Sequence, residues 1–321
     1  MIMSFRKYPA VSVVVPCHAD REWPSVRAAV ASLRAQSLPP AEILLVVDHN
    51  PELYDRARRE LSGVTVLANR RWPGASGTRN TGAFETLTPL VAFLDGDAYP
   101  QPGWLAALVG PFEDRTVVGT GGAIRPGWQP SRPDWFPDEF LWTVGGSYPG
   151  LPTSNGPVRN VWSASMAVRR EAFASVGGFR DGFGKRGNRS RPEDTDLCLR
   201  MGRAGRWIYT PGAVIDHPVE PEHASFGYFL RRCYAEGRGK VALARLLDGR
   251  RSLGSERDYL RRTVPRAVLR GLLNGLRGHG AAYAARAGAM IAGVAAAAAG
   301  GAVESLVARQ PAGPEPVGVA S

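Results

Sequence analysis

A chain of 321 residues, 44% of them hydrophobic, has ample material for a globular core, as one large domain with appendages or as two domains. Its three cysteines, Cys17, Cys198 and Cys233, are scattered without a CxxC spacing, which argues against a disulfide framework and against a zinc site. The formal charge of +11 is almost all arginine and points to an anionic partner (nucleotide phosphates, nucleic acid or an acidic membrane surface), although coding bias alone would give the same excess.

Arg6 and Lys7 are followed only by the run "VSVVV" before Pro16 and His18, too short for a signal peptide or a membrane span. A reducing, cytoplasmic setting is therefore expected. The segments Val11 to Val15, Glu42 to Val47, Val64 to Ala68 and Leu90 to Leu94 are short runs rich in β-branched residues. Helical spacing fills the intervals Trp23 to Gln36, Glu52 to Leu61 and Ala75 to Thr86. Strands alternating with helices predict a parallel α/β sheet, and near-continuous apolar strands imply that both faces are covered. Ligands of such sheets bind beyond the carboxyl ends of the strands, so the polar residues there are the informative ones. From Gly121 to Gly156 the pattern loosens into Gly, Pro and aromatic residues, which reads as an irregular wrapping segment. Val161 to Arg170 then reads as a strand, Glu193 to Ala204 as a helix, and the chain after Pro221 as arginine-dense helices up to about Arg277.

Several constellations carry chemistry. Asp95 and Asp97 flank Gly96 at the exit of "LVAFL"; in an extended segment both carboxylates face one spot, and hard oxygens of this kind suit Mg²⁺ or Mn²⁺ already held by phosphates. The ordinary alternative is a turn. Asp48, followed by His49, ends the second strand, where an acid can accept hydrogen bonds from a ribose hydroxyl or a base N–H, or simply cap a helix. "PGASGTRNTG" places glycines at a helix start with Arg79 and Asn80 one or two turns in, but it matches neither a P-loop nor GxGxxG. "RSRPEDTDLCLR" puts Pro192 at a helix start with Glu193, Asp194 and Asp196 in the first turn, good helix chemistry in itself and also a place for a general base. His217 in "AVIDHPV" closes another apolar strand and can be structural or complete a divalent-metal shell.

Taken in order, "VSVVVPCHAD", Asp48 after "LLVV", "GASGTRNTG", "FLDGD", "NVWSASMAVRREAFASVGGF", "PEDTDLCLR" and "DHP" resemble glycosyltransferase family 2, the inverting enzymes of GT-A fold. "DHNPELYDRA" and "RPDWFPDEFLWTVGG" further resemble a branch of glucosyl-dolichyl-phosphate glucuronosyltransferases and related transferases. The resemblance implies a GT-A (Rossmann-like), mixed and mostly parallel sheet flanked by helices, with a C-terminal helical extension. The resemblance covers about Val11 to Pro218; with the composition on either side of it, the expected organisation is an N-terminal tail over 1–8, a catalytic domain over 9–225, a basic helical extension over 226–278 and an Ala/Gly-rich tail over 279–321. By the same resemblance, Pro16, His18, Asp48 and Arg79 frame the nucleotide, with Asp95 near the ribose and metal. Asp97 ligates Mg²⁺ or Mn²⁺ with His217 as a further ligand, Asp194 is the catalytic base, and Glu193 positions hydroxyls. The implied donor is a nucleotide-diphosphate sugar, UDP-sugar favoured, and the acceptor a lipid-linked glycan or a small molecule. The family's QxxRW, typical of processive polymerases, is absent from "FLRRCYAEGRGK", so one sugar per encounter is expected.

Arginines interleave with Leu, Tyr and Val between Arg231 and Arg277, a pattern that fits either helices on an anionic membrane surface or solvated helix faces. "AGAMIAGVAAAAAGGAV" is shorter than the roughly 20 residues of a span and only weakly apolar, so it is not read as transmembrane. Other readings remain: a nucleotide-sugar binding protein without turnover, or a sugar-phosphate nucleotidyltransferase, which would carry a Gly-rich basic loop where "PCHADREW" stands. No nucleic-acid motif is present, and no nucleic-acid partner is expected.

Overall fold

The computed structural model describes residues 8–186, 189–246, 259–277 and 280–307. The first half alternates β1 (Val11–Cys17), α1 (Trp23–Arg34), β2 (Glu42–Val47), α2 (Pro51–Glu60), β3 (Thr65–Ala68), α3 (Ala75–Glu85) and β4 (Leu90–Leu94). A short β5 (Tyr99–Pro100), α4 (Trp104–Val109), a long β6 (Val117–Trp128), β7 (Gly156–Val158), β8 (Ser165–Arg169) and α5 (Arg170–Ser175) follow. Then come the hairpin strands β9 (Gly184–Arg186) and β10 (Arg189–Arg191), α6 (Glu193–Met201) and β11 (Arg206–Val219). The described C-terminal helices are α7 (Phe226–Leu246), α8 (Val264–Leu276) and α9 (Ala281–Val307).

Nine strands form one sheet in the order β3-β2-β1-β4-β8-β6-β11-β5, with β7 also on β11. β1 to β4 are parallel, β8 runs antiparallel between β4 and β6, and β6 and β11 are parallel again. The expected mixed, mostly parallel sheet is therefore present. Side chains alternate across β1: Val11, Val13 and Val15 join a core with Trp23, Leu33 and Trp104 on one face, while Val14 joins Phe93, Phe173 and Leu197 on the other. Helix α3 lies close on the second face because Gly82 has no side chain. A Cβ there would sit 2.5 Å from Val14 Cγ1 and 3.1 Å from Val46 Cγ2. Gly82→Ala is expected to cost about 1–3 kcal/mol by overpacking, read as a lower denaturant midpoint in chemical unfolding.

Two sequence expectations are corrected. The stretch after Gly121 is not irregular at its start, since β6 runs through it to Trp128. Its glycines hid the strand: added Cβ atoms at Gly119, Gly121 and Gly122 would collide with the Trp207 ring, Val161 Cβ and the Ala213 carbonyl, at 2.2 Å each. Here small residues accommodate large neighbours, and the β-branched signal lies on the partner elements. Within the segment expected as a tail, Ala281–Val307 form a 27-residue helix, α9, which with α7 and α8 builds a third core around Phe136, Phe140, Phe229 and Met290; residues 308–321 lie outside the described residues. Alanine is the strongest helix former, and glycine here serves close helix packing.

Candidate active site

The site forms where β11 bends back over the end of β4. β4 and β11 are separated in the sheet by β8 and β6, so they do not meet directly. The contact is made by β5, which begins two residues after Asp97 and pairs Tyr99 with Asp216 and Pro100 with Ile215. A register shift between Thr210 and Val214 bends β11 on its way there. Asp97 is thereby set beside His217, with Oδ1 3.4 Å from Nε2. Ligand atoms of Asp95, Asp97 and His217 all lie within 4.8 Å of one another. Gly96 between the acids is explained by the protein rather than by a ligand: a Cβ would lie 2.8 Å from the Pro16 carbonyl oxygen.

Burial by itself would lower the His217 imidazole and raise the Asp97 carboxyl, but their mutual contact reverses both, holding His217 up and Asp97 down. His217 Nδ1 is buried with no hydrogen-bond partner among the described residues. Two carboxylates and one imidazole from separate elements fit a divalent cation of the Mg²⁺ or Mn²⁺ class, which carboxylates hold together with phosphate oxygens.

Arg79 joins this cluster to α6. Its side chain is only 5% exposed; Nη2 donates to Asp95 Oδ1 at 2.6 Å, and Nη1 lies 3.7 Å from Glu193 Oε1. Helix α6 opens with Glu193, Asp194 and Asp196, whose charge complements the positive end of the helix. Asp196 is fully buried between Arg180 and Arg200, at 3.1 and 2.8 Å, and is structural. The other two acids face the cluster. Burial, with Asp194 adjacent, pushes the Glu193 carboxyl up to about 8 against the pull of Arg79. Burial also raises Asp194, opposed by Arg79 and by hydrogen bonds from Ser163. Among the described residues, Asp194 Oδ1 has no hydrogen-bond partner. Ser163, 3% exposed and ahead of β8, is a site residue that sequence reasoning missed; nothing in "NVWSASM" distinguishes it from its neighbours.

A raised carboxyl pKa fixes the sign of a stability effect. Glu193 contributes stability below its ordinary value near 4.5, and this is lost as pH rises through about 8. The metal-free protein is expected to lose, on this account, on the order of a few kcal/mol across that window. Glu193→Gln should flatten the fall, checked by melting temperature against pH in chelator.

The remaining candidates lie on the same rim in different settings. Asp48 is already engaged: Oδ1 accepts from Asn69 Nδ2 at 2.6 Å and Oδ2 from the Gly74 N–H at 2.8 Å, so it anchors the turn into α3. His18 is mostly exposed and pairs with Glu22 at 3.0 Å, while Pro16 supports Gly96. Asn80 donates to the Phe179 carbonyl at 2.7 Å and accepts from the Phe179 N–H at 2.8 Å, while Ser76 donates to the Phe183 carbonyl at 3.1 Å. Helix α3 thus holds both Arg79 and the segment leading towards α6.

Two solved structures share this fold. A mannosyltransferase from Pyrobaculum calidifontis, in complex with GDP-Man and Mn²⁺, aligns over 94% of this chain and 88% of its own with a TM-score of 0.58 and 17% identity. GalNAc-T7, with UDP, GalNAc and Mn²⁺, aligns over 74% and 51% with a TM-score of 0.52 and 19% identity. The fold is that of the GT-A glycosyltransferases. A glucosyl-dolichyl phosphate glucuronosyltransferase of Haloferax volcanii is 30% identical over 237 residues, spanning 72% of this chain and 76% of that one. A pre-mycofactocin glycosyltransferase of Mycobacterium tuberculosis is 32% identical over 213 residues, 64% of this chain and 42% of that one. With residues 12–177 matching its family description, the chain belongs to glycosyl transferase family 2.

Proposed function

We propose that the protein is a divalent-metal-dependent, inverting glycosyltransferase that moves one sugar from a nucleotide-diphosphate sugar, UDP-sugar favoured, to an acceptor hydroxyl. The observation that carries this reading is the continuous line from the Asp97–His217 pair through Asp95 and the buried Arg79 to Glu193 and Asp194. It links a place for a diphosphate to a carboxylate with an unpartnered oxygen. Asp95, Asp97 and His217 would hold the Mg²⁺ or Mn²⁺. When bound, the ion would neutralise charge on the departing diphosphate. Asp194 takes the proton of the acceptor hydroxyl, whose oxygen attacks the anomeric carbon from the face opposite the leaving group. Arg79 keeps Asp95 and Glu193 in place, and Glu193, whose carboxyl burial holds towards its protonated form, can when protonated donate a hydrogen bond to a sugar hydroxyl. Pro16, His18 and Asp48 would frame the nucleotide, Asp48 by shaping the loop at Gly74.

The names of the curated relatives include a lipid-linked sugar, glucosyl-dolichyl phosphate, and a small molecule, pre-mycofactocin; both acceptor classes remain in the proposal. The test is a screen of nucleotide sugars with Mn²⁺ or Mg²⁺, reading thermal shift and donor hydrolysis without acceptor. A transfer product from the matching donor should show the opposite anomeric configuration by NMR. Retained configuration would sink the single-displacement mechanism, and binding without turnover by any donor–acceptor pair would leave a sensor or scaffold.

A further inference from the structure

Helix α8 carries two apolar stripes. One, including Val264, Ala267 and Gly271, is buried, with Gly271 close to α9: a Cβ there would lie 3.0 Å from the Tyr283 carbonyl oxygen. The other, Leu269, Leu272, Leu273 and Leu276, follows i, i+3, i+4, i+7 spacing, and its members are 41% to 85% exposed. A solvated helix presents polar residues on such a face. The neighbouring α9 does the same over a greater length. Its only charged residues are Arg286 and Glu304, and its outward positions include Ile291, Val303 and Leu306, each well exposed. At 27 residues it is about 40 Å long, yet only 17% of its most apolar window is buried.

The opposite side of α9 is fastened to the protein from end to end. Arg286 donates to the Asp134 carbonyl at 2.8 Å near the start, and Glu304 accepts from Arg238 at 2.7 Å near the finish. Between them Gly293 sits against Phe140 and Phe229. Gly300 meets α7 so closely that a Cβ would approach the Tyr234 carbonyl oxygen to 2.1 Å. A helix held along one side by the catalytic domain and by α7, which carries Arg231, Arg232, Glu236 and Arg238, cannot also cross a bilayer. It can lie flat with its free side immersed.

Charge selects the kind of surface. The stretch Tyr259 to Arg277 holds Arg261, Arg262, Arg266, Arg270 and Arg277 and no acidic residue. Arg266, Arg270 and Arg277 share one flank of α8 beside the leucine stripe, and all three are exposed, with Arg270 also reaching Glu139. Leucines entering the acyl boundary with arginines at the headgroup level is the pattern of an interfacial helix on anionic lipid.

We propose that α8 and α9 form a monotopic docking face that seats the enzyme on an anionic lipid bilayer with α9 lying in the interface plane. This refines the expectation of basic helices at a membrane surface by placing the contact on the exposed leucine stripe and on α9. It stands apart from the transfer reaction, and its failure would leave that reading intact.

The full chain should float with vesicles of equimolar phosphatidylcholine and phosphatidylglycerol and much less with phosphatidylcholine alone. The double variant Leu276→Glu, Ile291→Glu changes two exposed side chains, so its melting temperature should match the wild type. Its partition should fall by roughly a hundred-fold, each lost apolar side chain being worth on the order of ten-fold. Arg266→Ala with Arg277→Ala should weaken only the anionic-lipid component. Unchanged flotation of the glutamate variant, or equal binding to neutral and anionic vesicles, would overturn the proposal. So would a lipid-free dimer in light scattering that the glutamates dissolve, because the face would then join two copies. Protection of a C-terminal epitope from protease added outside sealed vesicles would mean that α9 crosses, and would also overturn it.

Discussion

Asp194→Asn should retain binding of the nucleotide sugar and lose transfer by on the order of 10² to 10⁴-fold, the usual range for removing a general base. The substitution keeps the shape of the side chain and an acceptor for the Ser163 hydrogen bonds, so the start of α6 should stay folded. What disappears is the oxygen that can take a proton. Burial raises the Asp194 carboxyl, while Arg79 and Ser163 pull it down. Activity of the wild type should therefore rise with pH as this group ionises, with an acid limb displaced upward from that of an ordinary aspartate. Measured by kcat at saturating donor, the loss in the variant should be full where Asp194 is ionised and shrink along the acid limb, which the variant itself should lack. If kcat stayed normal and only KM rose, Asp194 would be a binding group.

Removing divalent cations should abolish transfer, and Mn²⁺ or Mg²⁺ should restore it. Asp97→Ala should lower kcat/KM by on the order of 10³-fold, since a bound cation supplies several kcal/mol of charge stabilisation. His217→Ala should reduce apparent metal affinity in the same assay. The two residues depend on each other, because each holds the other's protonation state away from its intrinsic preference. A His217→Ala enzyme with unaltered cation dependence would return the imidazole to a structural role.

Much of the fold was legible because apolar β-branched runs at β1, β2 and β4 are dictated by burial on both faces. β6 was illegible for the converse reason: glycine was selected there by Trp207 and Val161, which are distant in sequence. α9 was misread as a tail because its apolar run was measured alone, whereas "AAYAAR" extends the helix at its start. Among site residues, Asp95, Asp97, Arg79, Glu193, Asp194 and His217 could be named from their place at strand or helix ends. Their convergence could not, because it depends on β5, a two-residue strand with no periodic signature. The occupation of Asp48 by Asn69 and Gly74 was equally hidden, since it needs the turn that those residues build. The reason for Gly96 was hidden in the same way, since it is the Pro16 carbonyl, on β1, that leaves no room for a Cβ.

The central claim is that carboxylates far apart along the chain share one cation-bearing cleft with the nucleotide. Titration calorimetry of UDP with and without Mn²⁺ tests it most directly across the wild type, Asp97→Ala, His217→Ala and Asp194→Asn. UDP should bind tightly only with the cation; both metal-site variants should lose that coupling, and Asp194→Asn should keep it. UDP affinity indifferent to Mn²⁺ in the wild type, or coupling that survives Asp97→Ala, would contradict the account.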